Sequence, residues 1–534
     1  MSHRPKILFF SEAVTLAHVS RPLMLMETLD PDRYDLHFAC AFRYESYFNL
    51  KRSTYWPMES ISYDAFISSM SGDKSAYDDE QVESYLAEED ALIREIQPDL
   101  IVNDARYTLC ISAPSAGIPL VNINNSYWSP FRKNKGFPIP AYKRSALFQM
   151  FPPALAERLL PFELVKRTFP IMRPYYHWKF LAPFNRARLR RGLSPLRSIE
   201  AINTFGDWTL YCDVPALIPL NPLSATHRFL GPLLWSPPEA PPLPTMDRSK
   251  PILYISLGSS NDVPRCREIV ADLAELDVQL LVATANRFSF PSSDRVHAAE
   301  FLPGVDASKA AALVVCSGGS TAAYQALSVG TPVLGLPSNT DQHLAMGGIE
   351  RWGAGLSIRA DQATPANVRE AVKRILADPA FKQRAEALAQ QFSGFDARKR
   401  FRAFMDEILP APGGRAEPSS HLQTLPDRLR RRAERTPDRP AFWGLTARQR
   451  GEAPQTYGQV WDQVQRLAAA LRERGVERGE RVGFLAGVDP AWELLNLAVM
   501  LAGGRRGGVG PPRCARSSPE RGPTERHQSL GRSK

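Results

Sequence analysis

The sequence predicts an α/β fold in which two parallel sheets, each covered by helices, face one another across a cleft. Short apolar, β-prone runs alternate with helical segments up to residue 236 and again from residue 251. Such alternation indicates parallel sheets with helices on both faces. A proline-rich stretch at 237–250 separates the two halves as a stiff linker. At 534 residues and 44% hydrophobic composition, the chain is long enough for about three domains.

The N-terminal half, residues 1–236, is expected to form the first domain. No apolar run in the chain approaches the ~20 residues of a membrane-spanning helix, and the run at 7–10 is too short for a secretory signal. The first strand is therefore expected to begin almost at the N-terminus. The expected elements are a strand at 6–10, a helix at 22–29, a strand at 35–41, a helix at 81–97, and strands at 99–103 and 119–122.

The second half, residues 251–395, is expected to form the second domain. Its β-prone runs are again short, and its last two helices have the apolar spacing of amphipathic helices. The expected elements are strands at 251–257, 280–284, 313–316 and 332–336, and helices at 365–377 and 381–391.

The formal charge of +10 is concentrated in the segment 127–191, which holds 14 Lys or Arg against only Glu157 and Glu163. Aromatic residues, eleven of them from Phe131 to Phe180, interleave with these charges. One interpretation is a basic, apolar surface that contacts anionic lipid or admits an apolar acceptor. The alternative is a helical subdomain whose aromatic residues are core and whose charges are solvated. No nucleic-acid module accompanies the basic segment, so nucleic acid is not expected as a partner.

The cysteines indicate a reduced compartment. All six lack the paired spacing of a disulfide framework or a zinc site. We therefore expect a cytoplasmic protein, with peripheral membrane contact as the extension suggested by the basic segment, and no bound metal. The cysteines are Cys40, Cys110, Cys212, Cys266, Cys316 and Cys514.

The segment 316–342 has the pattern of a strand, a glycine turn, a helix and a second strand, closed by Asp341-Gln342. Ser317-Gly318-Gly319 allows close backbone approach to a ligand, and the helix expected from Ser320 presents free N–H groups behind it. This arrangement suits a phosphate. Asp341 and Gln342 follow the next strand, where the ligands of open α/β sheets bind, so they are expected to contact a polyol.

At these residues the chain resembles the nucleotide-sugar glycosyltransferases of the GT-B type, which have two Rossmann-like domains. The resemblance covers roughly residues 5–410 and implies that 396–410 is a helix crossing back to the first domain. It also implies that Ser317 replaces the phosphate-binding His, Gln325 replaces the ribose-binding Glu, and Asp341-Gln342 binds the donor sugar. The remaining donor-binding residues implied are Gly258, Ser259 and Ser260, a nucleobase-stacking Phe301, and Gly318, Gly319, Ser320 and Thr321 in the phosphate turn.

The same resemblance implies a catalytic pair in the first domain. His18, in Ala17-His-Val-Ser-Arg-Pro22, matches the family's catalytic base, and Asp104 matches the aspartate that orients it. Two other interpretations remain open: a structural loop histidine, and an N-cap for a helix expected from Arg106. Because amides and a helix dipole can stabilise a leaving diphosphate, no metal and no cofactor other than the nucleotide-sugar co-substrate is expected.

A third segment follows a Pro/Gly/Ser-rich linker at 411–424. Residues 425–503 resemble the beginning of an adenylate-forming ligase of the acyl-CoA synthetase family, without its ATP loop and later motifs. Residues 504–534 are basic and aperiodic. A reading-frame shift in a longer fusion and a disordered basic tail are both compatible with this pattern, and neither predicts a folded, active third domain.

The sequence thus predicts an inverting, metal-independent transferase that moves a sugar from a UDP- or dTDP-sugar to a hydroxyl of a small apolar or lipid-like acceptor. The competing hypothesis is a scaffold at a membrane surface, in which Ser317 and Gln325 mark a degenerate, non-catalytic donor site.

Overall fold

The computed structural model contains two compact units, 1–416 and 417–534. The described residues are 4–42, 53–62, 65, 77–133, 150, 152, 155–156, 158, 162–236, 240–247, 249–257, 263–285, 287–409, 425–442, 453–477, 480–483, 490–503 and 505–507.

The first unit opens with a seven-stranded, all-parallel sheet in the order β3-β2-β1-β4-β5-β6-β7. Alternate residues of the central strand face opposite layers of core. Ile7 and Phe9 belong to one buried cluster, and Leu8 and Phe10 to another, as period-2 side-chain alternation requires. The strands are β1 (Lys6–Ser11), β2 (Asp35–Cys40), β3 (Thr54–Pro57), β4 (Leu100–Asp104), β5 (Leu120–Asn124), β6 (Trp208–Tyr211) and β7 (His227–Phe229).

The helices of this domain differ from expectation mainly at the first one. It begins six residues earlier than predicted and contains Pro22, which the sequence analysis placed at its start. His18 is therefore in the first turn of a helix rather than in a loop. The helices are α1 (Leu16–Met26), α2 (Asp79–Ile96), α3 (Leu109–Ala116), α4 (Phe162–Arg190) and α5 (Ile199–Asn203), with a short 3₁₀ turn at Ser126–Trp128.

The second domain has a six-stranded, all-parallel sheet in the order β10-β9-β8-β11-β12-β13. Two Rossmann-like domains, as predicted, therefore make up the first unit. The strands are β8 (Ile252–Ser256), β9 (Gln279–Ala283), β10 (Val296–Ala299), β11 (Leu313–Cys316), β12 (Val333–Gly335) and β13 (Gly355–Ser357); the helices are α6 (Val263–Ala274), α7 (Gly304–Ala310), α8 (Ser320–Ser328), α9 (Thr340–Trp352), α10 (Pro365–Ala377) and α11 (Pro379–Ser393).

The expected crossover helix is present as α12 (Ala397–Ile408). Its apolar face completes the core of the first sheet, where the ring of Phe401 lies 6.4 Å from that of Phe9 and the ring of Phe404 lies 5.9 Å from that of Trp208. The helix that follows the second domain in sequence thus belongs to the first domain in packing.

A buried carboxylate lies at the seam between the two Rossmann-like domains. Asp213 is fully buried and accepts hydrogen bonds from the N–H and hydroxyl of Ser126, at 2.8 and 2.9 Å. Asn125 lies beside it and also beside Tyr324, which belongs to α8 of the second domain. Burial raises the pKa of Asp213 to about 7, although the Ser126 hydrogen bonds oppose this shift.

The second unit was not expected to fold, yet its described residues pack a small core. Apolar side chains of two helices form it, with a buried cluster that includes Val460, Val464, Leu494 and Ala498. The elements are α13 (Leu425–Arg435), β14 (Pro440–Phe442), β15 (Gln455–Thr456), α14 (Tyr457–Glu473), β16 (Arg481–Gly483), α15 (Pro490–Ala502) and β17 (Arg505–Gly507).

Over the whole described part of the chain, every helix is either too short or too polar to cross a lipid bilayer.

Replacing Phe401 with Ala is expected to destabilise the first unit by about 3–5 kcal/mol, because it leaves a cavity where a fully buried ring now packs. Urea unfolding followed by tryptophan fluorescence measures the change. Arg402→Ala, at an exposed position of the same helix, is the matched control and should alter stability by under about 0.5 kcal/mol. Equal effects of the two substitutions would show that α12 does not pack as described.

Replacing Asp213 with Asn is expected to stabilise the protein more at pH 8 than at pH 5. The pKa of the native carboxyl is raised from 3.8 to about 7, so its contribution to stability is full at low pH and is lost as pH rises through about 7. Melting temperatures between pH 5 and pH 8 test this. Asp294→Asn, at an exposed position, should show no such dependence. A difference that stays constant with pH would contradict the burial argument.

Candidate active site

Both sheets reverse their strand order at one point, and the predicted site residues lie at these points. In the first sheet the reversal falls between β1 and β4. His18 is in the helix that follows β1, and Asp104 is the last residue of β4, paired with Ser11. Because the connections leave the two strands in opposite directions, their carboxyl ends border an open crevice.

Pro22 and Ser11 together fix the first turn of α1. Pro22 has no N–H, so it cannot donate to the carbonyl of His18 four residues earlier. The hydroxyl of Ser11 donates to that carbonyl instead, at 2.6 Å. The end of β1 thereby anchors the backbone that carries the predicted base.

The structure brings His18 and Asp104 together. The Nδ1 atom of His18 lies 2.8 Å from Oδ1 of Asp104. The imidazole is 25% exposed while the carboxylate is 1% exposed, so the pair joins a buried acceptor to an accessible ring. Within the described residues, Nε2 of His18 has no hydrogen-bond partner.

The alternative role of Asp104 as an N-cap does not agree with the structure. The next helix begins at Leu109, five residues beyond Asp104, and Thr108 precedes it. The carboxylate of Asp104 is bonded to side chains of α1 instead. Ala105, directly after the strand, has a φ of 63°, which turns the chain away from the helical path at this point.

Arg21 is a member of this cluster that the sequence analysis did not identify. Its Nε and Nη2 atoms donate to the two carboxylate oxygens of Asp104 at 2.8 and 2.7 Å. Its Nη1 atom donates to Oδ1 of Asn125 at 2.6 Å. The position of Arg21 one turn after His18 was the available signal, because residues three apart share a helix face.

The donor-side turn follows β11, at the reversal point of the second sheet. Gly318 has a φ of 83°, and a Cβ there would lie 2.8 Å from Cγ of Met346, so both conformation and space require glycine. Gly319 then precedes α8 without a side-chain cap, and Ser320 and Thr321 form the first turn. The first N–H groups of this nine-residue helix have no intrahelical acceptor.

Asp341 and Gln342 lie in the first turn of α9, next to this phosphate turn. A Cβ at Gly319 would be 4.0 Å from both Oγ of Ser317 and Cγ of Gln342. Oε1 of Gln342 accepts from the backbone of Ser338 at 2.8 Å, which fixes the amide orientation. The four predicted donor-side positions, 317, 319, 341 and 342, therefore form one surface.

The first domain reaches this surface through the segment after β5. The indole N–H of Trp128 donates to Oδ1 of Asp341 at 2.8 Å. The hydroxyl of Tyr127 lies close to Ser320 and to Asp341, and burial raises its pKa well above the usual value. An aromatic side chain of the first domain, Trp128, thus contacts the predicted sugar-binding aspartate.

Tyr107 is within electrostatic range of both the His18–Asp104 pair and the predicted donor side. This half-buried tyrosine has a pKa raised by burial first, and further by the negative charges of Asp341 and Asp104.

Gln325 contacts the segment that leads into the interdomain linker. Its Nε2 atom donates to the carbonyl of Trp235 at 2.5 Å and contacts Oγ of Ser236 at 3.4 Å. A Cβ at Gly304 would collide with Oε1 of the same amide. In this structure Gln325 holds the start of the interdomain linker, and its contact with a ribose stays a prediction.

For the other predicted donor-binding residues, the described part of the chain gives no contact that bears on their role. Phe301 lies half-buried between β10 and α7, and its stacking role stays a prediction. Gly258, Ser259 and Ser260 lie outside the described residues. No group of three or more His, Cys, Asp or Glu that could hold a metal occurs in the described part of the chain.

Comparison with known protein families confirms both resemblances. The profile for the C-terminal domain of erythromycin biosynthesis protein CIII-like proteins matches residues 267–394. The profile for AMP-binding enzymes matches residues 429–511. The first match covers the phosphate turn and the Asp341-Gln342 pair.

Individual relatives extend the match across both Rossmann-like domains. A PGL/p-HBAD biosynthesis glycosyltransferase of Mycobacterium tuberculosis is 38% identical over 399 residues, which cover 73% of this chain and 90% of the relative. A PGL/p-HBAD biosynthesis rhamnosyltransferase of Mycobacterium bovis is 38% identical over 398 residues, 73% of this chain and 85% of the relative. The spinosyn rhamnosyltransferase SpnG, in complex with thymidine diphosphate, has a TM-score of 0.54 and 14% identity, covering 75% of this chain and 99% of its own. The chain therefore belongs to the same glycosyltransferase family as these mycobacterial enzymes and has the GT-B fold.

Proposed function

We propose that the protein is an inverting glycosyltransferase that uses His18 as its base and a dTDP- or UDP-activated sugar as its donor. The observation that carries this proposal is the pairing of an accessible imidazole with a buried carboxylate, His18 with Asp104. The segment 125–128 connects this pair to Asp341, because Asn125 accepts from Arg21 and Trp128 donates to Asp341. A base on one side of a sugar and an anion-binding turn on the other are the two groups that a single displacement needs.

In the proposed reaction, the acceptor hydroxyl attacks the anomeric carbon while its proton passes to Nε2 of His18. The bond from the anomeric carbon to the diphosphate oxygen breaks, and the electron pair leaves with the nucleoside diphosphate. Attack from the face opposite the leaving group inverts the anomeric centre. Asp104 holds the Nδ1 side of the ring and stabilises the imidazolium that forms.

The donor is held by the surface at positions 317, 319, 341 and 342. The N-terminus of α8 offers backbone N–H groups and a positive dipole end to the diphosphate. Asp341 is suited to accept from sugar hydroxyls. A thymidine diphosphate complex of a structural neighbour and a rhamnosyltransferase among the relatives favour a dTDP-deoxyhexose, with a UDP-sugar as the other candidate.

An aromatic wall next to the base favours an apolar acceptor. The ring of Tyr107 lies 5.8 Å from that of Phe180 and 6.1 Å from that of Tyr77, and Phe184 packs against all three. Tyr107 and Phe180 keep part of their surface accessible. Such rings bind apolar and aromatic groups without requiring polar partners.

The scaffold hypothesis rested on Ser317 and Gln325. Family membership favours the enzyme, and Ser317 lies on the anion-binding surface where a hydroxyl can donate to phosphate. A test of catalysis therefore also separates these two hypotheses.

Replacing His18 with Ala is expected to lower kcat by at least about 10²-fold while leaving donor affinity within about threefold, because the ring acts on the acceptor proton rather than on the nucleotide. Nucleoside diphosphate release and glycoside formation from dTDP- and UDP-sugars, measured by mass spectrometry, give kcat. Calorimetric titration with dTDP and UDP gives affinity.

The matched control is His297→Ala, in the edge strand of the second sheet. It should leave turnover within about threefold of the native rate. Nucleotide binding without turnover in the native protein would support the scaffold instead, and undiminished transfer by the His18 variant would exclude this histidine as the base.

We also propose that α4 contacts a lipid surface, as the basic segment suggested. Leu164, Ile171, Tyr175 and Trp178 recur at helical spacing on one face, and Ile171 and Trp178 are 78% and 65% exposed. Arg167 is exposed on the same face. Exposed aromatic and aliphatic side chains with an adjacent cation fit the interface of an anionic bilayer.

Replacing Ile171 with Glu is expected to weaken binding to vesicles of phosphatidylglycerol and phosphatidylcholine by about tenfold, since it places an anion in the apolar stripe. Sedimentation with vesicles measures the bound fraction. Leu376→Glu, at an exposed site of α10, is the control and should bind like the native chain. Failure of the native protein to bind, or dissociation of a dimer by Ile171→Glu, would assign the stripe to another role.

A further inference from the structure

Arg21 contacts both members of the candidate catalytic pair. Besides its two bonds to Asp104, its Nη2 atom lies 3.0 Å from Nδ1 of His18. The same Nδ1 atom lies 2.8 Å from Oδ1 of Asp104. The three groups therefore form a triangle in which one carboxylate oxygen faces two nitrogen atoms.

The triangle restricts the protonation of His18. When Nδ1 carries a proton it donates to Asp104, and Nε2 has the lone pair that a base requires. A guanidinium 3.0 Å away is a like charge to an imidazolium and opposes its formation. The same guanidinium neutralises the carboxylate that would otherwise favour the imidazolium.

We infer that Arg21 is a positioning residue that orients Asp104 by two parallel hydrogen bonds and keeps His18 neutral until it accepts the acceptor's proton. This inference rests on the proposed role of His18 as the base. The inference adds Arg21 to the His18–Asp104 pair. It assigns to Arg21 an effect of its charge as well as an effect on geometry.

The position of Arg21 is itself determined by buried groups. Its side chain is 9% exposed, and Nη1 donates to Asn125, the residue that lies beside Asp213 at the domain seam. Two parallel bonds from a planar guanidinium fix a carboxylate more rigidly than a lysine ammonium could.

The charged and titratable groups around the pair come from four segments, and they include Tyr107, just after β4, whose phenol has a pKa raised by burial. His18 faces Asp104 from β4 and Arg21 from its own helix. Arg21 faces Asp104, and in addition Tyr127, Cys212 and Asp213. Burial raises the pKa of the Cys212 thiol and of the Tyr127 phenol, so both are neutral near pH 7. Asp213, with a pKa of about 7, is the one of these three that changes charge in the working range.

A purely geometric role of Arg21 and a role of its charge predict different pH dependences of kcat/KM. Losing the positive charge at position 21 removes the electrostatic opposition to an imidazolium. The acid limb of kcat/KM, which reports the free enzyme's base, should then move to higher pH. A residue that only supports the fold would lower the amount of active enzyme without moving this limb.

The experiment compares Arg21→Gln with Arg21→Lys. Gln removes the charge, and we expect the acid limb of kcat/KM to move up by about one pH unit. Lys keeps the charge but cannot form two parallel bonds, so the limb should stay within about 0.3 pH units while kcat falls about tenfold or more. An NMR titration of the His18 ring in protein labelled with ¹⁵N-histidine measures the same change without substrate.

Arg188→Gln is the matched control, because this arginine is also buried in the first domain and donates to the carbonyl of Ser194 at 2.7 Å. It should not move the acid limb. An unmoved limb and an unmoved NMR titration in Arg21→Gln would overturn the charge role. Equal kcat in Arg21→Lys and the native enzyme would overturn the positioning role.

Two further outcomes keep the inference separate from the proposed function. If His18→Ala retains full transfer, the base assignment fails and the role of Arg21 fails with it. If His18→Ala is inactive but the profile of Arg21→Gln is native, only the inference about Arg21 fails. Should both Arg21 variants fail to fold, Asn125→Ala removes the acceptor of Nη1, together with the contacts of Asn125 to Asp213 and Tyr324. A melting temperature near native with at least about tenfold lower kcat would support the inference, and native kcat would overturn it.

Discussion

The strand order of the two sheets is the constraint on which the site depends. Each sheet grows outward in both directions from a central pair, β1 with β4 and β8 with β11. Connections that leave such a pair in opposite directions leave its carboxyl ends uncovered. The His18–Asp104 pair occupies one of these uncovered edges, and the Ser317-Gly318-Gly319 turn occupies the other. Neither site required an exceptional loop, since both use the first residues after a central strand.

Much of this arrangement was predictable because local signals dominate it. Glycine turns, short apolar runs and helix boundaries depend on neighbours in sequence, and β11, α8 and the pair Asp341-Gln342 all lie within 30 residues. The crossover helix was predictable from the family resemblance. The early start of α1 was missed, since Pro22 was taken as a helix beginning. Proline suits a first turn, but Ser11 replaces the hydrogen bond that an internal proline removes.

Contacts between distant segments could not be predicted in the same way. Arg21 meets Asp104 across 83 residues and Asn125 across 104 residues, and no spacing rule connects such positions. The ribose-binding role of Gln325 was predicted because this residue takes the place of the family's ribose-binding Glu. In the structure the amide of Gln325 fills the space that Gly304 leaves, a contact between distant residues that no spacing rule predicts. The small core of the second unit was also missed, because a resemblance to part of a ligase says nothing about whether that part packs.

The crossover helix restricts how the first unit can move. The chain passes between the Rossmann-like domains at the linker after β7 and again just before α12, where Gly231 packs directly against Phe395. Two covalent crossings close to one another favour rotation of the domains about the line that joins them over translation or twist. Any approach of Asp341 to His18 would then follow a path set by chain connectivity.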